Sequence, residues 1–191
     1  MPRIDPLESW GPLEARARSE TDARTRTLVQ AVRDHMEHEI RGDLVPLMAT
    51  LTREPIYHFY GGPYGAAPMV LSGRAAVEAF YRQMIAAGGN QFEVVVTRIV
   101  ADSANVVTEG RVKQVHTGKE LMAMGRTEIA GVVLARDTLV LTSAPLVTVW
   151  PGDPDGRLVG EDIYFGGDPF ANAELITPDD LPSGYRWSHR V

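Results

Sequence analysis

IRGDLVPLMATLTREPIYHF, residues 40–59, contains three changes of backbone in twenty residues, and its reading decides the fold. Gly42 is a natural stop for a helix arriving from upstream, and Asp43 stands ready to cap the next one. Leu44, Leu47, Met48 and Leu51 then share one face of a second, short helix. IYHFY, 56–60, is rich in aromatic residues and predicts a strand, closed by the turn-forming GGPYGAAP, 61–68. A helix, a helix and a strand thus follow one another almost without linkers.

Upstream, Leu28, Val29, Val32, Met36 and Ile40 recur at helical spacing and predict a helix over 25–40. Residues 1–24 are rich in proline and charge around an isolated Trp10; this composition cannot build a core of its own but can lie along another, so we read it as an arm. Downstream, LSGRAAVEAFYRQM, 71–84, predicts a third helix capped by Ser72, with Val77, Phe80, Tyr81, Met84 and Ile85 as its apolar stripe. The chain then changes character. QFEVVVTRIV (91–100), NVVTEGRVKQVH (105–116), TLVLTSAPLVTVW (138–150) and RLVGEDIYFG (157–166) read as long strands in an antiparallel meander. Residues 118–137 fit either a strand extension or an inserted loop, and an extended tail is expected from Asp168 onward.

Helices first and a curved antiparallel sheet after them define an α+β domain over 25–167, flanked by the arm and a tail of 168–191. In VVVTRIV, 94–100, neither set of alternating residues is polar throughout, which points to a strand covered on both sides and to a homodimer through the sheet. The net charge of −6 leaves no basic face for nucleic acid. The absence of cysteine removes disulfides and thiolate metal sites, and with no apolar run of membrane-spanning length the expectation is a cytoplasmic protein. No glycine-rich dinucleotide turn and no phosphate loop occurs, so no cofactor is implied.

DHMEHEIRGD, 34–43, concentrates two histidines and four carboxylates. With about 100° between successive helical residues, Glu39 falls within the apolar stripe and His35 at its edge, while Asp34, Glu37 and His38 point away. On the strand over 105–116, Glu109, Arg111 and Lys113 share the outward face, leaving Thr108, Gly110, Val112, Gln114 and His116 inward.

Three of these passages, IRGDLVPLMATLTREPIYHF, SGRAAVEAFYRQM and DGRLVGEDIYFG (155–166), resemble the helix–helix–strand passage, the third helix and the last strand of the nuclear transport factor 2-like superfamily. That superfamily includes ketosteroid isomerases, epoxide hydrolases, scytalone dehydratases and SnoaL-like polyketide cyclases. The resemblance implies a cone-shaped curved sheet covered by three N-terminal helices, with a pocket inside. By the family's phase Tyr57 and Phe59 on the first strand, and Glu161, Ile163 and Phe165 on the last, face that pocket. The isomerase residues are replaced: their base, tyrosine donor and protonated aspartate fall on Phe59, His35 and near Leu146. Of the epoxide hydrolase set, the arginine and the aspartates fall on Gly110, Val112 and Ile163, and only Tyr57 matches.

The expectation is therefore an enzyme carrying out acid–base chemistry on a small, largely apolar molecule. His35 with Glu39, His116, Tyr57 and Glu161 are the catalytic candidates, and Phe59, Gln114, Thr148, Ile163 and Phe165 the ligand-contacting ones. Two rivals stand beside it. One is a non-catalytic binding or interaction domain of the same fold, and the other a metal site built from His35, Glu39, His116 and Glu161.

Overall fold

A computed structural model describes residues 2–61 and 68–185. The N-terminal segment forms a short 3-10 turn at Pro6–Glu8 and helix α1, Gly11–Ser19. Rather than extending away, it lies on the core of its own domain: Trp10 and Leu13 are buried in the same cluster as Leu28, Val32 and Met36. Helix α2, Ala23–Arg41, is capped by Asp22, whose carboxylate accepts the Thr25 N–H at 2.7 Å, and ends at Gly42 in the left-handed conformation, φ 77°. Helix α3, Leu44–Ala49, is shorter than the apolar spacing implied, because Leu51 already opens strand β1, Leu51–Gly61.

Strand β2, Met69–Ser72, pairs back on β1, and helix α4, Arg74–Ala86, crosses to the opposite edge. Ser72 therefore belongs to a strand and does not cap α4; the N-cap is Gly73, at φ 84° and without a side-chain bond. The sheet continues through β3, Phe92–Ala101, and β4, Asn105–Thr117. The ambiguous stretch 118–137 is neither of its two expected forms: it holds helix α5, Gly118–Ala123, closed by a Thr117–Glu120 capping box, and a small hairpin of β5, Glu128–Ile129, and β6, Val132–Val133. Strands β7, Leu139–Pro151, and β8, Leu158–Phe165, complete the wall, and β9, Glu174–Ile176, turns part of the expected tail into an extra strand paired with β7.

The order is β2-β1-β8-β7-β4-β3. One pairing departs from the expected antiparallel meander: β1 and β8 run parallel, with Tyr57 opposite Glu161 and Phe59 opposite Ile163. Alternation of side chains has the same period in both senses, so sequence phase is blind to strand direction. The fold is thus an α+β cone with a mixed, curved sheet whose concave face is filled by α2 and α4. A bulge between Val96 and Arg98 bends β3 over β4; opposite it stands Gly110, where a Cβ would meet the Val95 carbonyl oxygen at 2.0 Å.

The convex face is covered at one end by the chain's own termini, where Ile4, Ile176, Leu181 and Tyr185 pack over Val115, Leu139 and Leu141. Elsewhere it stays open. Val100 is 58% and Tyr164 43% exposed, and Tyr60 stacks on Tyr164 with ring centroids 4.6 Å apart. No helix among the described residues is long and apolar enough to cross a membrane.

Candidate active site

The cone encloses a cavity of about 460 Å³, in the range of small-molecule sites. Its floor is set by α2 and the parallel seam. Because Tyr57 and Glu161 are register partners on adjacent strands, both side chains rise from the same point of the concave face, directly under α2 and α4. There they meet His35 from α2 and Tyr81 from α4.

His35 is completely enclosed, and its two nitrogens can be told apart. The Thr50 hydroxyl donates its only proton to the Leu47 carbonyl at 2.7 Å, so its oxygen accepts at 2.6 Å from His35, which places a proton on Nδ1. Nε2 lies 3.1 Å from Glu161 Oε1, 2.9 Å from the Tyr81 hydroxyl and 3.2 Å from the Tyr57 hydroxyl. The contacts of Nε2 with Glu161 Oε1 and with the two phenols join helix α2 to the β1–β8 seam in one buried cluster. The Tyr81 hydroxyl lies 3.0 Å from both Glu161 Oε1 and the Tyr57 oxygen, and its single proton serves one of them at a time. Burial first, and the nearby Glu161 carboxylate second, hold both phenols well above their ordinary range, so both keep their protons and serve as donors. Trp150 closes the group, its ring 5.6 Å from His35 and its Nε1–H donating to Thr108 at 3.0 Å.

Glu39, one helical turn beyond His35 on α2, is different. Its half-buried carboxyl reaches the cavity and makes no hydrogen bond with any described residue. Burial, and secondarily the Glu161 carboxylate, raise it well above the usual carboxylate range, so it takes up a proton far more readily than a free glutamate. Around it the wall is largely apolar, with Phe59, Phe80, Met84, Phe92, Ile163 and Phe165, and Gln114, His116, Glu120 and three threonines line the rest.

Nine of the ten residues singled out in the sequence line this cavity: Glu39, Tyr57, Phe59, Gln114, His116, Thr148, Glu161, Ile163 and Phe165. His35 does not reach it; it stands behind Glu161 and the two tyrosines. The reason is a small rotation of α2, which carries His35 fully inside and leaves Glu39 at the wall. His116 lies away from this group, hydrogen-bonded to Thr142 at 3.2 Å and 5.5 Å from the Phe170 ring, roughly eight residues or about 26 Å of strand along β4 from Thr108. His116 thus lines the cavity away from the cluster that His35 supports from behind. Of the four residues weighed as metal ligands, His35, Glu39 and Glu161 have ligand-type atoms within 4.8 Å of one another, and His116 is not among them.

Tyr81 was hidden in the apolar stripe of α4. Its signal was chemical: a tyrosine in a fully buried stripe must find a partner for its hydroxyl. Phe170 and Pro169 come to the cavity from the segment expected to be a tail, alongside Glu120 and Met124 from α5 and its C-terminal end.

A two-helix cap over a curved sheet, with the polar group at the closed end of the cone, defines the nuclear transport factor 2-like class. Within that class the chain belongs to the SnoaL-like domain family, whose model matches residues 32–136. No curated protein matches it. Among solved structures, a nuclear transport factor 2-like protein from Anabaena variabilis superposes with a TM-score of 0.54 at 14% identity, covering 80% of this chain and 96% of that one. SalBIII, an epoxide hydrolase/cyclase-like enzyme of pyran ring formation in salinomycin, gives 0.51 at 14% identity over 78% and 95% of the two chains. A nuclear transport factor 2-like protein of unknown function from Burkholderia pseudomallei gives 0.50 at 21% identity over 73% and 90%. At these identities what is shared is the fold.

Proposed function

We propose that the chain is an acid–base enzyme acting on a small, largely apolar molecule held in the cone, with Glu39 as the group that exchanges the proton. The observation that carries this reading is the asymmetry of the two carboxyls. Glu161 is fixed by Tyr81 and His35, whereas Glu39 faces the cavity without a hydrogen-bond partner among the described residues and with a raised proton affinity, as a general acid or base working near neutral pH requires. Tyr57 and Tyr81, kept protonated, supply hydrogen bonds to a carbonyl or hydroxyl of the bound molecule, and the His35–Glu161 pair positions them. Isomerisation, cyclisation, dehydration and hydrolysis all share this first requirement, one proton moved beside one stabilised oxygen. Phe59, Ile163, Phe165, Gln114 and Thr148 shape the pocket, and His116 is a second proton carrier away from the His35 cluster.

Hydrogen–deuterium exchange at the carbons next to the carbonyl of cyclohexanone, followed by NMR, tests the reading without knowledge of the natural substrate. The protein should accelerate exchange over buffer, and Glu39→Gln should reduce that acceleration by about 10²-fold. Exchange no faster than buffer would favour the rival, a binding domain in which the network only orients a ligand. That rival draws on how completely His35, Tyr57, Tyr81 and Glu161 satisfy one another.

The reading includes a homodimer through the open convex face. Val100, Tyr164 and Ile56 there are exposed and apolar, and flank the half-buried His58–Asp162 pair at 2.7 Å.

A further inference from the structure

Of the three carboxyl groups that line the cone, Glu39 and Glu161 lie together near His35, and Glu120 lines it from α5. Among the described residues no lysine or arginine lines it, and His35, the histidine beside Glu161, is already committed to Thr50 and Glu161. Glu39 meets no hydrogen-bond donor among the described residues. A carboxylate set in an apolar wall is neutralised either by a proton or by a cation brought to it.

The spacing lets one cation reach both Glu39 and Glu161. The ligand-type atoms of His35, Glu39 and Glu161 lie within 4.8 Å of one another. An ammonium donating two hydrogen bonds of about 2.8 Å at a tetrahedral angle needs acceptors about 4.6 Å apart. The approach to the two carboxyls is also aromatic, through Tyr57, Phe59, Phe80, Tyr81, Phe92 and Trp150, whose ring faces attract a cation and repel an anion.

We propose that the molecule bound in the cone carries a protonated amine: an apolar body with one ammonium group seated between Glu39 and Glu161. This deepens the function proposed above and rests on its view of the cone as a small-molecule site. In the complex the ligand's charge takes the place of the proton on Glu39, so that the carboxylate is bared only when a ligand is present.

Calorimetric titration at pH 7.5 with 2-phenylethylamine and with its neutral isostere 2-phenylethanol tests this, with zinc alone as a third probe. The amine should bind at least about tenfold tighter than the alcohol, the effect of one charge-assisted contact. In Glu39→Gln, and separately in Glu161→Gln should the first variant fold poorly, the ratio of the two affinities should fall to within about threefold of unity. Equal or tighter binding of the alcohol overturns the charge preference while leaving the cone as a ligand site. A ratio unchanged in both variants overturns the seat assigned to the ammonium. Micromolar zinc binding that blocks the amine and is lost in Glu39→Gln overturns it in favour of a metal centre. Failure of both organic probes to bind also overturns it, and ketone exchange then decides the catalytic reading independently.

Discussion

His35→Leu removes one partner of the buried pair while nearly keeping its volume. His35 is fully enclosed, so its contacts with Glu161, Tyr81 and Tyr57 cannot be replaced by bulk water. Thr50 loses an acceptor role only, since its hydroxyl still reaches the Leu47 carbonyl. The main cost is Glu161 left beside an apolar side chain, and breaking such a pair from one side costs about 3–5 kcal/mol. For a chain of this size each kcal/mol corresponds to about 2–4 °C, so a loss of about 4 kcal/mol lowers the melting temperature by about 8–16 °C. Urea unfolding followed by tryptophan fluorescence reads it, with Trp150, packed on the His35 ring at 5.6 Å, as a local reporter. The double variant His35→Leu/Glu161→Leu should recover part of the loss, with a coupling of about 1–3 kcal/mol, because replacing both charges is far less costly than stranding one. A single-variant cost below about 1 kcal/mol, or simple additivity in the cycle, refutes the mutual dependence of His35 and Glu161.

Glu39→Gln should stabilise the fold at neutral pH: the native state holds the Glu39 proton more tightly than the unfolded chain, so the wild type loses stability as pH rises from about 4.3 through the raised native value. The advantage of the variant should vanish near pH 4, where both states are protonated, and thermal melts across that range that show a constant difference contradict it. Tyr164→Asp, on the open convex face, should convert a dimer to a monomer in light scattering at micromolar concentration, and a wild-type monomer under the same conditions removes the dimer altogether. His38→Ala should change stability by no more than about 0.5 kcal/mol, since His38 lies on the outer side of α2 with its ion-pair contact, to Asp43, long at 3.8 Å. A larger cost than that of His35→Leu would mean that the inner face of α2 is misassigned.

Much of this arrangement is legible in the residues themselves. The outward row of Glu109, Arg111 and Lys113 fixes the phase of β4, and Gln114 and His116 follow inward by alternation alone. Tyr57, Glu161 and Ile163 reach the concave face by the same period once the family resemblance sets it. What was not legible has definite causes. The parallel partnership of β1 and β8 leaves no trace in alternation, and it is this that places Tyr57 against Glu161. The division of labour between His35 and Glu39 turns on a few tens of degrees about α2, finer than apolar spacing resolves. Residues 1–24 and 168–176 look weak alone because their apolar side chains are few, yet Trp10, Leu13 and Ile176 each complete a surface formed elsewhere in the chain.

The seam between β1 and β8 also orders events in time. His58 and Asp162, like Tyr57 and Glu161 beside them, are neighbours in space but 104 residues apart in the chain. A ribosome delivers β1 long before β8 exists, so one edge of β1 waits unpaired through the synthesis of half the protein, and the contacts that close it are among the most non-local available. The two carboxyls therefore come together only when the last long strand docks. A nascent or truncated chain ending before residue 158 presents Glu39 without Glu161, Ile163 and Phe165, which makes the paired-carboxyl pocket a property of the chain that includes β8.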